Sequence, residues 1–239
     1  MRRPPKLLAI VVLLGIANHT VLGGCRVVIS LDALSLGASP LTVGVLIALF
    51  AVLPMLCAVA VGRLSDRMGT RPPMLIGTLG LALGAALPLL WRGLPALYLS
   101  AALLGAAFMA FQLATQRVVG DIGEPSECAR NFAMLALGYS ASGFLGPLIA
   151  GYSIDHLGFA AAFAVLLGVT MLPLALLATR RVALPGHPHH AAVGGHPGGI
   201  RALLRHRTLR HVLAVNVLIS AGWDLHTVFV PVYGERIGL

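Results

Sequence analysis

Of 239 residues, 58% are hydrophobic and only 10% are charged, whereas a water-soluble domain carries about a quarter charged, which excludes water as the solvent for most of this surface. The net charge of +9 does not mark a nucleic-acid binder, because the basic residues sit in short groups at the ends of apolar runs without interleaved aromatics. The three cysteines, Cys25, Cys57 and Cys128, give no sign of a disulfide framework or a paired-cysteine metal site.

Apolar runs recur at a length that, as helix, crosses the ~30 Å of a bilayer core. Seven spans are predicted, at about 7–30, 41–62, 73–91, 95–119, 131–154, 159–179 and 210–232. Helix is the expected state, since the runs lack the alternation a lipid-embedded barrel needs. The opening stretch MRRPPKLLAIVVLLGIANHTVLGG imitates a signal peptide, but it has no small-x-small cleavage site and further spans follow, so it is read as a retained first span. Asn18 and His19 lie near the middle of that span, where polar groups are costly and point to substrate or coupling roles. Arg26 follows seven residues later, about 10 Å nearer the outer surface. It either snorkels to that surface or faces a cavity, where it would favour an anionic substrate.

Spans 2 and 3 are joined by GRLSDRMGTRPP, residues 62–73. Gly62, Asp66, Arg67, Gly69 and Arg71 form the pattern G-x-x-x-D-R-x-G-x-R, which resembles the signature loop of the major facilitator superfamily; Thr70 departs from a position where the family favours a basic residue. The resemblance implies a secondary transporter of twelve spans in two six-helix halves, with this loop acting as a cytoplasmic gate. Gly62 would admit a neighbouring helix closely, and Asp66 would accept hydrogen bonds from a helix N-terminus and from Arg71, latching one conformation.

Span 4 carries a polar patch of Gln112, Thr115 and Gln116 toward its inner end, suited to substrate hydrogen bonds or helix contacts, and Asp121, Glu124 and Glu127 belong to a solvated inner loop. Proton-coupled antiporters of the resembled family often have an arginine early in this span, where this chain has Ala101. In span 5, Gly146, Pro147 and Gly151 match the family's Gly-Pro motif, while Ala133, Ser142 and Ala150 replace glycines favoured in antiporters. The small residues there fit either that signature or generic close packing.

Residues 180–209 are rich in Gly, Pro, His and Arg and are read as a cytoplasmic linker. Its His187, His189, His190 and His196 are metal-ligand types, but no Cys or acid accompanies them, and a connector is the preferred reading. In span 7, Asn216, Ser220, Asp224 and Thr227 share a stripe. Asp224 is the leading coupling candidate, with a structural hydrogen bond as its alternative. The stretches GIANHTV at 15–21 and GWDLHTV at 222–228 share four of seven positions, as related transporter halves would.

With the N-terminus in the cytoplasm, fourteen basic residues fall on the inner side and only Arg92 and Arg236 on the outer, the positive-inside asymmetry of an alternating topology. The sequence therefore predicts an all-α membrane protein of the bacterial inner membrane: a six-helix bundle over 1–179, a linker over 180–209, and the first helix of a second half over 210–239. The expected partners are a small solute, a coupling ion with the proton foremost, and the bilayer, without nucleic acid, cofactor or metal. No hydrolytic, redox or nucleotide-binding motif points to an enzyme. The competing reading is a membrane interaction protein that transports nothing.

Overall fold

The computed structural model describes residues 5–179, 182, 184 and 207–236, without the side chains of 5, 57–60, 63–67, 221 and 223–236. Among these residues every regular element is helical: α1 (Pro5–Ser35), α2 (Pro40–Met68), α3 (Arg71–Leu90), α4 (Leu94–Asp121), a 3-10 turn (Pro125–Glu127), α5 (Cys128–Ala178) and α6 (Arg207–Arg236). The chain divides into two compact units, Met1–Pro188 and His189–Leu239. The first holds α1 to α5; the second holds α6, whose Val217, Leu218 and Ile219 are exposed.

The helix ends follow local chemistry. Ser39 caps α2 by accepting the Thr42 amide at 3.2 Å, and Pro40 occupies the first turn, where its missing N–H costs nothing. The polar knot at 62–73 is not an extended loop: α2 runs on as helix to Met68, and only Gly69 and Thr70 separate it from α3. Gly69 makes the turn with φ +76°, in the region open chiefly to glycine. The extension is physically reasonable, because 62–68 holds good helix formers such as Arg, Leu and Met, and a helix may leave the hydrocarbon before it ends.

α5 contains both the fifth and the sixth predicted spans. With 51 residues it would be about 76 Å long if straight, more than twice the hydrocarbon thickness. It breaks at Gly158, with φ 82° and ψ 174°, giving limbs over 128–157 and 159–178. The limbs double back. A Cβ on Gly24 of α1 would lie 2.6 Å from Leu166 on the second limb and 3.1 Å from the Gly146 carbonyl on the first. Among the described residues, four stretches are long and apolar enough to cross a membrane, Lys6–Ser35, Arg71–Leu90, Leu94–Asp121 and Pro125–Ala178, with Pro40–Leu56 a shorter apolar helix.

Burial on α5 is inverted relative to a water-soluble helix. Its first limb buries Asn131, Gly138, Ser142, Gly146, Ala150 and Ser153, while Leu137 and Phe144 are 73% and 69% exposed. Where the solvent is hydrocarbon, leucine gains nothing by hiding, and the helix faces that meet are those that let backbones approach. α1 runs parallel to this limb. Gly138 packs against Val12 and Ile16, and Gly146 against Thr20 and Gly24, so both indices rise together. α3 and α4 are antiparallel, with Gly77 against Phe111 and Gly84 against Leu104.

Candidate functional site

A polar layer crosses the first unit at the middle of α1. His19 Nδ1 lies 2.8 Å from the Ser142 hydroxyl of α5. That hydroxyl is also 3.1 Å from the Gly138 carbonyl and 2.9 Å from the Tyr139 carbonyl. A hydroxyl has one hydrogen; donated to one of these carbonyls, it leaves the oxygen to accept from Nδ1–H of His19. The imidazole stacks on Tyr139, with centroids 4.9 Å apart and planes 28° apart, and meets Phe108 of α4 at 5.4 Å. Three helices thereby fix one ring.

Asn18, next in sequence, points the other way. It is fully buried and donates through Nδ2 to the Thr78 hydroxyl of α3 at 3.0 Å. This is the interhelical hydrogen bond expected of a polar residue inside a membrane bundle. Among the described residues, its Oδ1, the Thr20 and Thr115 hydroxyls and the Tyr139 hydroxyl are buried without a hydrogen-bond partner.

Arg26 is exposed on α1, and its guanidinium carbon stands 5.2 Å from the centroid of the Phe50 ring on α2, within cation–π range. Gln112 and Gln116 are half-buried on α4 beside fully buried Thr115. In the second unit, Asn216 is exposed on α6; Asp224 and Thr227 lie on the same helix, with side chains outside the description, and the histidines of 187–196 fall outside the described residues.

In the motif that closes α2, Asp66 and Arg67 occupy the helix's last turn, their side chains outside the description, and among the described residues nothing stands within 4 Å of a Cβ placed at Gly62. Arg71 opens α3 and donates to the Leu177 carbonyl at 2.7 Å and to the Val182 carbonyl. Leu177 is in the last turn of α5, whose carbonyls have no partner within the helix, and a guanidinium there complements the negative end of the dipole, while Val182 lies just beyond that helix. The motif's arginine thus ties the start of α3 to the end of α5. In span 5 the structure separates the motif residues: a Cβ on Gly146 would lie 2.7 Å from the Thr20 carbonyl oxygen, whereas among the described residues nothing stands within 4 Å at Gly151.

Sequence reasoning missed Tyr139, Thr78 and Phe108 as members of the layer and treated Ser142 only as a substitute for glycine. The available signal was the spacing Asn131, Leu135, Gly138, Ser142, Gly146, which marks the buried face of the first limb and places Tyr139 beside it. Two further concavities flank the bundle. One of about 410 Å³ lies between the ends of α1, α3 and the Gly158 break, with Asp32 and Arg92 on its walls. The other, of about 380 Å³, is an apolar groove over α3 and α4.

The sequence profile described as Major Facilitator Superfamily matches residues 8–239. The class C tetracycline resistance protein of Escherichia coli is 35% identical over 136 residues, 54% of this chain and 33% of that protein. The multidrug efflux pump LfrA of Mycolicibacterium smegmatis is 32% identical over 125 residues, 52% of this chain and 25% of the pump. Among solved structures, a mutant of the peptide transporter POT in complex with sulfate superposes over 95% of this chain and 48% of its own, with a TM-score of 0.69 at 18% identity. The alignments thus span a third or less of these curated relatives and about half of the solved one. An all-helical bundle of membrane-length apolar elements, matched along nearly its whole sequence by one family profile, is a multi-pass membrane protein, and the chain belongs to the Major Facilitator Superfamily.

Proposed function

We propose that this chain serves a secondary transporter that moves a small solute, a drug or metabolite, out of the cell by alternating access. Residues 1–179 are the first six-helix half, 180–209 a cytoplasmic linker, and 210–239 the first span of the second half. The N-terminus is cytoplasmic, the membrane is the bacterial inner membrane, and the coupling ion is the proton. The observation that carries this reading is the layer of His19, Ser142 and Tyr139 with Arg26 exposed above it, polar groups held inside helices that only hydrocarbon-length packing explains. The printed names of the relatives, tetracycline resistance proteins and a multidrug efflux pump, support export.

In this reading Gly62, Asp66, Arg67, Gly69 and Arg71 form the cytoplasmic gate, and Asp224 carries the proton. The test expresses the gene in its complete reading frame in an efflux-deficient bacterium and follows tetracycline and ethidium in everted vesicles under an imposed pH gradient. Gradient-dependent accumulation is expected, slowed about tenfold or more by Asp66→Asn and uncoupled from pH by Asp224→Asn. Vesicles that accumulate neither compound, with the protein present in the membrane, would contradict the export of drugs.

A further inference from the structure

We infer that the cavity of about 410 Å³ beside the Gly158 break is a binding site for a zwitterion of phosphoethanolamine type, whose ammonium meets Asp32 and whose phosphate meets Arg92. It is a site apart from the polar layer at His19, about 20 Å further along α1, and its ligand need not be the transported solute.

Local structure brings the two charges to one place. Asp32 stands one turn before the end of α1 at Ser35, and Arg92 sits in the connector between the end of α3 at Leu90 and the start of α4 at Leu94. Both side chains line the cavity, with Leu97 and Phe163 as its best-buried apolar walls. The charges share this space without neutralising each other by contact. The Asp32 carboxylate has the Ser35 hydroxyl at 3.4 Å and lies within the field of Arg92. Among the described residues, no hydrogen bond or ion pair engages the Arg92 side chain. Opposite charges that act on one another across a cavity but do not touch are complementary to a ligand bearing both signs at short separation.

Helix ends reinforce both signs. Asp32 and Ser35 belong to the C-terminal end of α1, the negative pole of its dipole, which favours a cation. Gly93 caps the start of α4 and Phe159 starts the second limb of α5, so two positive poles adjoin the cavity and favour an anion. The negative end of α3 lies next to Arg92 and complements the guanidinium itself. The nearby Asp155 and His156 do not line the cavity, and His156 packs on Tyr152 at 4.2 Å. A planar fork of five donors suits the oxygens of a phosphate. Leu90 and Trp91, just before Arg92, are exposed, as is Leu157 on the cavity wall. Exposed leucine and tryptophan at a helix end fit headgroup depth, so the ligand can arrive on a lipid or free in water.

The test reads occupancy of the cavity. A single cysteine replaces Ala160, an exposed residue of its wall, in the protein expressed from its complete reading frame with the native cysteines changed to alanine. Its reaction with a small maleimide is timed in nanodiscs. In discs of phosphatidylglycerol, soluble phosphoethanolamine should slow the reaction several-fold, whereas ethanolamine or phosphate alone should not. Asp32→Asn and Arg92→Gln should each raise the protecting concentration about tenfold, and Arg92→Lys by less. In discs of phosphatidylethanolamine, a reaction slow before any addition and restored by either variant assigns the site to the lipid headgroup. A reaction as fast as in phosphatidylglycerol, still slowed by soluble phosphoethanolamine, assigns it to the free zwitterion. Equal protection by phosphate or ethanolamine alone, protection that both variants leave unchanged, or a cysteine whose reaction ignores every lipid and addition would overturn the site.

Discussion

Two helix seams in the first unit use the same device to different ends. Between α3 and α4, Gly77, Gly80 and Gly84 sit against Ala107, Phe111 and Leu104, and the hydrogen bond that supports the seam runs from the Ser100 hydroxyl to the Gly84 carbonyl at 2.6 Å. Between α1 and α5, Gly24 and Gly146 bring backbones equally close, yet this seam also carries His19 on Ser142 and the stacked Tyr139. The antiparallel seam pairs glycines with apolar side chains and a single hydroxyl. The parallel one holds an imidazole bonded to a hydroxyl and stacked on a phenol ring. In hydrocarbon, close packing supplies the association, so a polar layer is an added feature that packing does not require.

The comparison breaks most severely where a side chain would strike backbone. A Cβ at Gly77 would stand 2.6 Å from the Ala107 carbonyl oxygen and 2.7 Å from the Phe111 nitrogen. Gly77→Val should therefore cost about 3 kcal/mol, read as a collapse of monodisperse yield in detergent. Gly146→Val, aimed at the Thr20 carbonyl oxygen and the Gly24 nitrogen at 2.7 and 2.8 Å, should behave likewise in the other seam.

The polar layer sharpens the contrast at intermediate size. Thr78→Val removes the partner of Asn18 Nδ2 and leaves a buried amide unpaired, a loss of about 1–3 kcal/mol measured by thermal unfolding. Ser142→Ala removes the hydroxyl bonded to His19 and should cost only about 1 kcal/mol of stability. Transport measured in vesicles should nevertheless fall several-fold, because the imidazole loses the contact that orients it. At the small end, Gly151→Ala meets open space and should be neutral or stabilise by about 0.5 kcal/mol. An equal loss at Gly151 and Gly146 would mean that the motif acts through sequence identity and not through close approach.

Much of the architecture was legible because hydrocarbon thickness imposes it. Spans 1, 3 and 4 fall within a few residues of α1, α3 and α4, and the polar interruption Asp155–His156 before Gly158 marked the turn inside α5. The helical extension of α2 to Met68 was missed because charge was taken to end the helix, when it ends only the apolar stretch. The direction of side chains was harder to read. α1 is apolar nearly all round, so the sequence could not tell that Asn18 faces α3 while its neighbour His19 faces α5. The pairing of His19 with Ser142 joins residues 123 positions apart, and nothing local in either segment announces it.

The central claim is that one long helical element, broken at Gly158, crosses the membrane twice, so that connectors alternate sides. Single cysteines at Leu36, Ser65, Glu124 and Leu157, in a chain lacking the native cysteines, are exposed to an impermeant maleimide on intact cells. The account predicts labelling at Leu36 and Leu157, and at Ser65 and Glu124 only after permeabilisation. Labelling of Leu157 together with Glu124, on one side of the membrane, would contradict it.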